Sequence, residues 1–224
     1  MAFKFDENHY SLVIGSNGTI GSACKDALSL AGSKVILMDY SLPKIKLPNQ
    51  FLKCDVTNIE DVKNSAKQIE KIDSIIYAVG LNYDAKVVDT NWTEYRKLMS
   101  VNLDGAFHIG SVFGKKMMSQ KKGSFIFLSS FAGIRGEAGA SVYSASKFGL
   151  IGFVESFAAE MTSFNVRVNA ICPGNVDSPM LKKVAKDIAK RSKSSTPKIY
   201  NQMKYSGAAT RLVNPYEVAN LAVY

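Results

Sequence analysis

The 224-residue sequence predicts a three-layer α/β fold, a doubly wound parallel sheet with helices on both faces. Three observations carry this expectation. Short apolar runs alternate with longer stretches of helical spacing along most of the chain. Runs such as KVIL and SFIFL are continuously apolar, as strands covered on both faces must be. The first run ends in a glycine-rich turn that opens directly into a helical stretch.

Taken in order, Tyr10–Ile14 reads as the first strand, and Thr19–Ala31 as a helix that Gly32 stops. Lys34–Asp39 and Phe51–Cys54 read as strands two and three, Asn58–Ile69 as a helix, and Ser74–Ala78 as strand four. Asn91 and Glu94 have capping-box spacing and open a helix that the pattern carries to about Ser119. Gly123 breaks the chain before a strand at Ser124–Ser129. A helix at Val142–Thr162, a strand at Val166–Ile171 and a turn at Pro173-Gly174 follow. The polar run Lys190–Lys198 reads as a mobile loop. Without repeats, linkers or low-complexity tracts, residues 1–224 are expected to form one domain.

Composition narrows the functional classes. A hydrophobic fraction of 46% and a charged fraction of 21% exclude general disorder. No apolar run reaches membrane-spanning length, and Asp6 and Glu7 lie where a signal peptide would be apolar, so a cytoplasmic protein is expected. Cys24, Cys54 and Cys172 are scattered without a CxxC pair, and are expected to be reduced thiols with no metal site. The net charge of +9 is concentrated, because nine basic residues and one acid between Pro179 and Arg211 supply +8 of it. One local segment is not the basic stripe of a nucleic-acid reader, and no such partner is expected.

Two constellations carry chemistry. Glycines at 15, 18 and 21, with Asn17, Thr19 and Ile20 between them, permit a tight turn whose helix N-terminus can face a pyrophosphate. Asp39 lies 18 residues beyond Gly21 at a strand end, where a carboxylate can accept hydrogen bonds from a ribose diol. It would repel the extra phosphate of NADP, and no basic residue stands in the turn or just after Asp39; NAD is therefore expected over NADP. Tyr40 follows as part of the same candidate site. The second constellation is Ser130 with Tyr143 and Lys147, spaced by thirteen and then four residues. Four residues make about one helical turn, so the phenol and the ammonium share a face. A nearby ammonium favours the phenolate and is expected to bring the tyrosine towards a working pKa.

On these residues the whole chain resembles the short-chain dehydrogenase/reductase family. Asp55-Val56 is similar to the family's adenine-contacting pair, Asn102 to its helix-borne asparagine, and Arg167-Val168-Asn169 with Pro173-Gly174 to the stretch before its substrate lid. The resemblance implies a Rossmann-type sheet, with Ala78, Val79, Gly80, Pro173, Gly174 and Val176 along the cofactor. It also implies roles. Tyr143 would be the general acid/base, while Lys147 would depress its pKa and bond the nicotinamide ribose. Ser130 would polarise the substrate oxygen, Asn102 would hold a water-mediated proton path, and Ser178 would bond the carboxamide. A homodimer or homotetramer acting on a small molecule is expected.

Three features depart from the family. The glycines are evenly spaced, as in the extended sugar-nucleotide-modifying branch, whereas the shorter branch places the middle one a residue later. Tyr77-Ala78-Val79-Gly80 replaces Asn-Asn-Ala-Gly, and loses side chains expected to pack the adenosine side. The sequence ends at Tyr224, ahead of the family's last strand and Asp-Gly-Gly end, and reads as truncated. The lid would be residues 179–211, whose basic side chains would steer an anionic substrate or form a solvated face; Arg135 is a further anion-binding candidate. The alternatives are a sugar-nucleotide epimerase or dehydratase, and a non-catalytic dinucleotide-binding protein.

Overall fold

The computed structural model describes residues 4–43, 49–206 and 209–224. The strands are β1 Tyr10–Ile14, β2 Lys34–Asp39, β3 Phe51–Lys53, β4 Ser74–Tyr77, β5 Gly123–Leu128 and β6 Val166–Ile171. They form one parallel sheet in the order β3-β2-β1-β4-β5-β6. Each strand lies within one residue of its predicted ends. The order reverses between β1 and β4, and a crevice opens beyond the carboxyl ends of strands at such a switch point.

Alternation along the strands divides the interior in two. Leu12, Ile14, Ile36, Met38, Ile75, Tyr77, Phe125 and Phe127 pack in one core with α2 (Ile59–Lys67), α4 (Gly105–Gln120) and α5 (Ser141–Met161). Their neighbours Val13, Val35, Leu37, Ile76 and Leu128 pack in a second core with α1 (Thr19–Leu30) and α8 (Pro215–Val223). A side-chain period of two therefore produces the three layers of a Rossmann-type fold. Asn91 acts as the expected helix cap, accepting from Glu94 N at 2.9 Å, and Asn58, at the head of its predicted helix, caps α2 by accepting from Glu60 N at 3.0 Å. Among the described residues no helix is long and apolar enough to cross a membrane.

Two expectations need correction. The single helix predicted from Asn91 to about Ser119 is interrupted. It begins as α3 (Trp92–Met99), widens to a π-type turn at Ser100–Asp104, and resumes as α4. No proline or local pattern marks the widening. Distant partners hold it: the buried Tyr77 hydroxyl donates to Val101 O at 2.8 Å, and Asn102 binds Leu81. Tyr77 thus fills and bonds the place where packing was expected to suffer.

The run Lys190–Lys198 is not a loop. Helix α6 (Pro179–Arg191) extends into it, α7 (Thr196–Tyr205) starts within it, and only residues 192–195 connect them. Its charges lie on the solvent sides of two helices whose inner sides bury Ala185, Ala189 and Ile199. Pro179 and Pro197 sit in the first turns, where a missing N–H costs no helical bond. The lid span 179–211 includes residues 207 and 208, which lie outside the described residues.

Candidate active site

The glycine turn leaves β1 beside the end of β4. Gly15 has φ +81°, and a Cβ there would stand 2.9 Å from the Ala78 carbonyl carbon. A Cβ on Gly21 would stand 2.1 Å from Gly15 O, so the start of α1 lies directly on the turn. Gly18 is less constrained, since its Cβ would meet Gly15 O at 3.2 Å. The first and last glycines are therefore the indispensable pair, which explains why the middle one can shift. Gly18 caps α1 without a side chain, Thr19 and Ile20 open the helix, and the buried Ser16 hydroxyl finds no partner among the described residues.

Asp39 is tied to this turn. One carboxylate oxygen accepts from Asn17 N at 2.9 Å, and the other from Ser41 N at 3.2 Å and Ser41 Oγ at 3.3 Å. The Asn17 amide donates to Ser41 O at 2.7 Å. A cavity of about 740 Å³ lies alongside, lined by Tyr40, Ser41, Lys53 and Asp55 among others. Lys53 escaped the sequence reading because only strand pairing brings it into register with Asp39. Asp55 accepts from Thr57 N at 2.9 Å and Thr57 Oγ1 at 2.7 Å, which fixes the bend before α2, and Val56 is buried. A dinucleotide fits this cradle, with backbone admitted closely at the glycines and a fixed carboxylate beside a cavity.

The second constellation gathers where β5 ends. Lys147 is 3% exposed, and its Nζ donates to Leu128 O at 2.8 Å. That nitrogen lies 5.9 Å from the centroid of the Tyr143 ring. A Cβ on Gly80 would stand 3.4 Å from it, so the absence of a side chain keeps this corner open. Ser130 follows β5, and its Oγ accepts from Ala132 N at 3.2 Å.

Burial brings the Lys147 ammonium down to about 8, with the nearby Cys172 charge opposing. Burial likewise holds the Tyr143 phenol above the ordinary tyrosine value, with the Ser130 hydroxyl pulling the other way. The expected depression of Tyr143 is therefore not found. The Lys147 amine is turned onto a carbonyl and stands away from the phenol, so desolvation wins.

Asn102 is fully buried and its side chain is engaged. It accepts from Leu81 N at 2.8 Å, and donates to Leu81 O at 3.0 Å and to Ser146 Oγ at 2.9 Å. Ser146 in turn donates to Tyr143 O at 2.7 Å, linking the wide turn of the α3–α4 helix to α5. Neither Leu81 nor Ser146 carries a local signal that marks it out. On the far side, Pro173 O accepts from Phe131 N at 2.8 Å, and Gly174 leads to the lid. Ser178 caps α6, accepting from Leu181 N at 3.2 Å. Val176 forms a parallel bridge with Val213 that closes the base of the lid.

The lid's charges do not converge on Tyr143. Lys182, Lys183, Lys186, Lys190, Lys193 and Lys198 are exposed, as is Arg135. Arg211 forms a two-pronged pair with Glu217, and Arg191 is paired with Asp84.

The family model for short chain dehydrogenases matches residues 10–189. The chain belongs to the short-chain dehydrogenase family. The 3-oxoacyl-(acyl-carrier-protein) reductase of Rickettsia bellii is 33% identical over 181 residues, covering 78% of this chain and 75% of the relative. The 15-hydroxyprostaglandin dehydrogenase (NAD(+)) of Bos taurus is 32% identical over 230 residues, covering 94% and 83%. An NAD+-bound xylitol dehydrogenase shares the fold at a TM-score of 0.90 and 24% identity, covering 97% of this chain and 92% of its own. As a short-chain dehydrogenase, the chain is an oxidoreductase that moves hydride between a nicotinamide cofactor and a carbonyl or secondary alcohol.

Proposed function

We propose that Tyr143 exchanges the proton in this reaction, Ser130 orients the substrate oxygen, and Lys147 bonds the nicotinamide ribose beside them. The observation that carries this reading is a buried lysine and a partly buried tyrosine on one helix face, beside Ser130 and the corner left open at Gly80. When bound, the cofactor supplies or accepts the hydride. The chain's own residues would hold it: Gly15, Gly18 and Gly21 along the diphosphate, Asp39 on the ribose, Asp55 and Val56 towards the adenine. Ala78, Val79 and Gly80 would line it where β4 ends beside the glycine turn, and Lys147, Pro173, Gly174, Val176 and Ser178 would hold the nicotinamide half. Asn102 acts through the Leu81 and Ser146 bonds that shape this corner.

A phenol held protonated by burial suits donation of a proton to a developing alkoxide, which is the reductive direction. Alcohol oxidation needs the phenolate, and its rate should therefore rise with pH. NAD is the proposed cofactor, because the Asp39 carboxylate is fixed where a 2′-phosphate would add negative charge. The bovine relative, named for NAD(+), is in line with this choice. Residues 1–224 act as one domain, and the exposed lysines of α6 and α7 steer an anionic substrate by long-range attraction. Phe107 and Phe148, 56% and 45% exposed on α4 and α5, suit contact with a second copy of the chain.

Tyr143→Phe tests the assignment. Turnover should fall by a factor of about 10³, and NADH affinity by calorimetry should stay within about threefold. Wild-type turnover in that variant removes Tyr143 from the chemistry.

A further inference from the structure

Helices α6 and α7 form a unit of their own. Ala185, Ala189 and Ile199 are buried between them, with Ile188, Tyr200 and Met203 packed alongside, in a core separate from those that flank the sheet. The unit is rooted at its base. Val176 bridges Val213, Tyr200 Oη donates to Asp177 at 2.7 Å, and Asn175 Nδ2 donates to Met203 O at 2.9 Å. At its far end, among the described residues, the Arg191–Asp84 pair is its sole ion pair with the remainder of the fold.

That contact has a built seat. The Asp84 side chain is only 7% exposed, and it lies three residues beyond Leu81, which Asn102 clamps. Gly139 lies four residues before Tyr143 and has φ +87°; a Cβ there would stand 2.6 Å from the Arg191 guanidinium. Gly139 O accepts from Ala85 N at 2.8 Å, joining the two walls of the seat. Any side chain at 139 would expel the guanidinium, and the partly buried carboxylate needs a cation.

We infer that Arg191 is a positioning residue that latches the α6–α7 unit across the Tyr143 end of the crevice. The unit has a rigid interior and a rooted base, so breaking the latch frees it as one body and does not unravel it. Substrate entry and product release then require Asp84 and Arg191 to part. The closed latch also neutralises Arg191, which leaves the lid's lysines to act from the outside. The role in turnover rests on the dehydrogenase reading, whereas the latch itself does not.

Hydrogen exchange on the full chain tests the latch without needing a substrate. In Arg191→Gln and Asp84→Asn, peptides covering residues 179–206 should exchange faster by a factor on the order of ten, while β4 and β5 peptides keep wild-type rates. Arg191→Lys, which keeps the charge over Asp84, should recover most of the protection. The double variant Asp84→Asn/Arg191→Gln should exchange like the single ones. Wild-type protection in the double variant overturns the latch, because the single losses would then come from a stranded charge. Unchanged exchange throughout, no recovery with lysine, or an equal rise in β4 and β5 overturns it as well. An intact latch in a chain that fails to bind NADH would count against the dehydrogenase reading alone.

Discussion

Replacing Lys147 by methionine removes a charge from an interior that holds it at a cost. The side chain is 3% exposed, and burial brings its ammonium from 10.5 down to about 8. That difference corresponds to about 3 kcal/mol against folding at pH 7, where the lysine is charged in both the folded and unfolded chain. The variant also strands the Leu128 carbonyl, which receives the Nζ bond at 2.8 Å. A stranded buried acceptor costs about 1–3 kcal/mol, so at pH 7 the variant should be about as stable as the wild type or up to about 2 kcal/mol more stable. The carbonyl loss does not titrate, whereas the lysine does. Between pH 8 and 10.5 the unfolded wild-type chain binds a proton that the folded chain has released, and wild-type stability rises with pH. Methionine gains nothing over that window. Urea unfolding of both proteins from pH 7 to 10.5 should show the variant losing about 3 kcal/mol relative to the wild type across the window. A difference that stays flat over this range would refute a displaced lysine.

Three further outcomes follow from the geometry. Gly21→Ala places a Cβ 2.1 Å from Gly15 O, and should cost about 3 kcal/mol in unfolding experiments and abolish NADH binding by calorimetry. Asn102→Ala leaves Leu81 N–H, Leu81 O and the Ser146 hydroxyl without their shared partner, and should destabilise the fold by about 2–4 kcal/mol, read from the urea midpoint. Asp39→Ala removes the acceptor beside the cavity and should narrow a preference for NADH over NADPH by about tenfold in paired titrations; an unchanged ratio removes Asp39 from the cofactor site.

Legibility followed the range of the interactions. Strands such as Tyr10–Ile14 and Val166–Ile171 were readable because burial on both faces demands continuous apolar runs. The Tyr143 and Lys147 pair was readable because one helical turn sets its spacing. The widening at Ser100–Asp104 was not, because its causes, Tyr77 and Leu81, lie about twenty residues earlier in the chain. Lys190–Lys198 looked like a loop because its polar residues hide a narrow inner stripe built from Ala185, Ala189 and Ile199. Lys53, Asp84, Gly139 and Arg191 became visible only when the fold placed them next to Asp39, next to Tyr143, or against one another. The phenol's pKa was misjudged for a related reason. Spacing puts an ammonium near a phenol, but it says nothing of the Leu128 carbonyl that holds the ammonium away.

The wide turn at Ser100–Asp104 has a consequence for how this protein can change. An ordinary helical turn uses 3.6 residues, so deleting one residue between positions 100 and 104 would let α3 and α4 merge into a regular rod. The wide turn spends one residue more than a regular turn, so this deletion would leave α3 and α4 facing nearly as they do now. The stripe Ile109, Phe113 and Met117 would stay on the sheet, and the loss would fall on the turn itself, where Val101 O accepts from Tyr77 and Asn102 binds Leu81 and Ser146. A change of length by one residue would thus be absorbed within the turn, at the expense of the bonds that brace the corner beside Tyr143. A missing codon here should therefore spare the two helices and cost the site they serve.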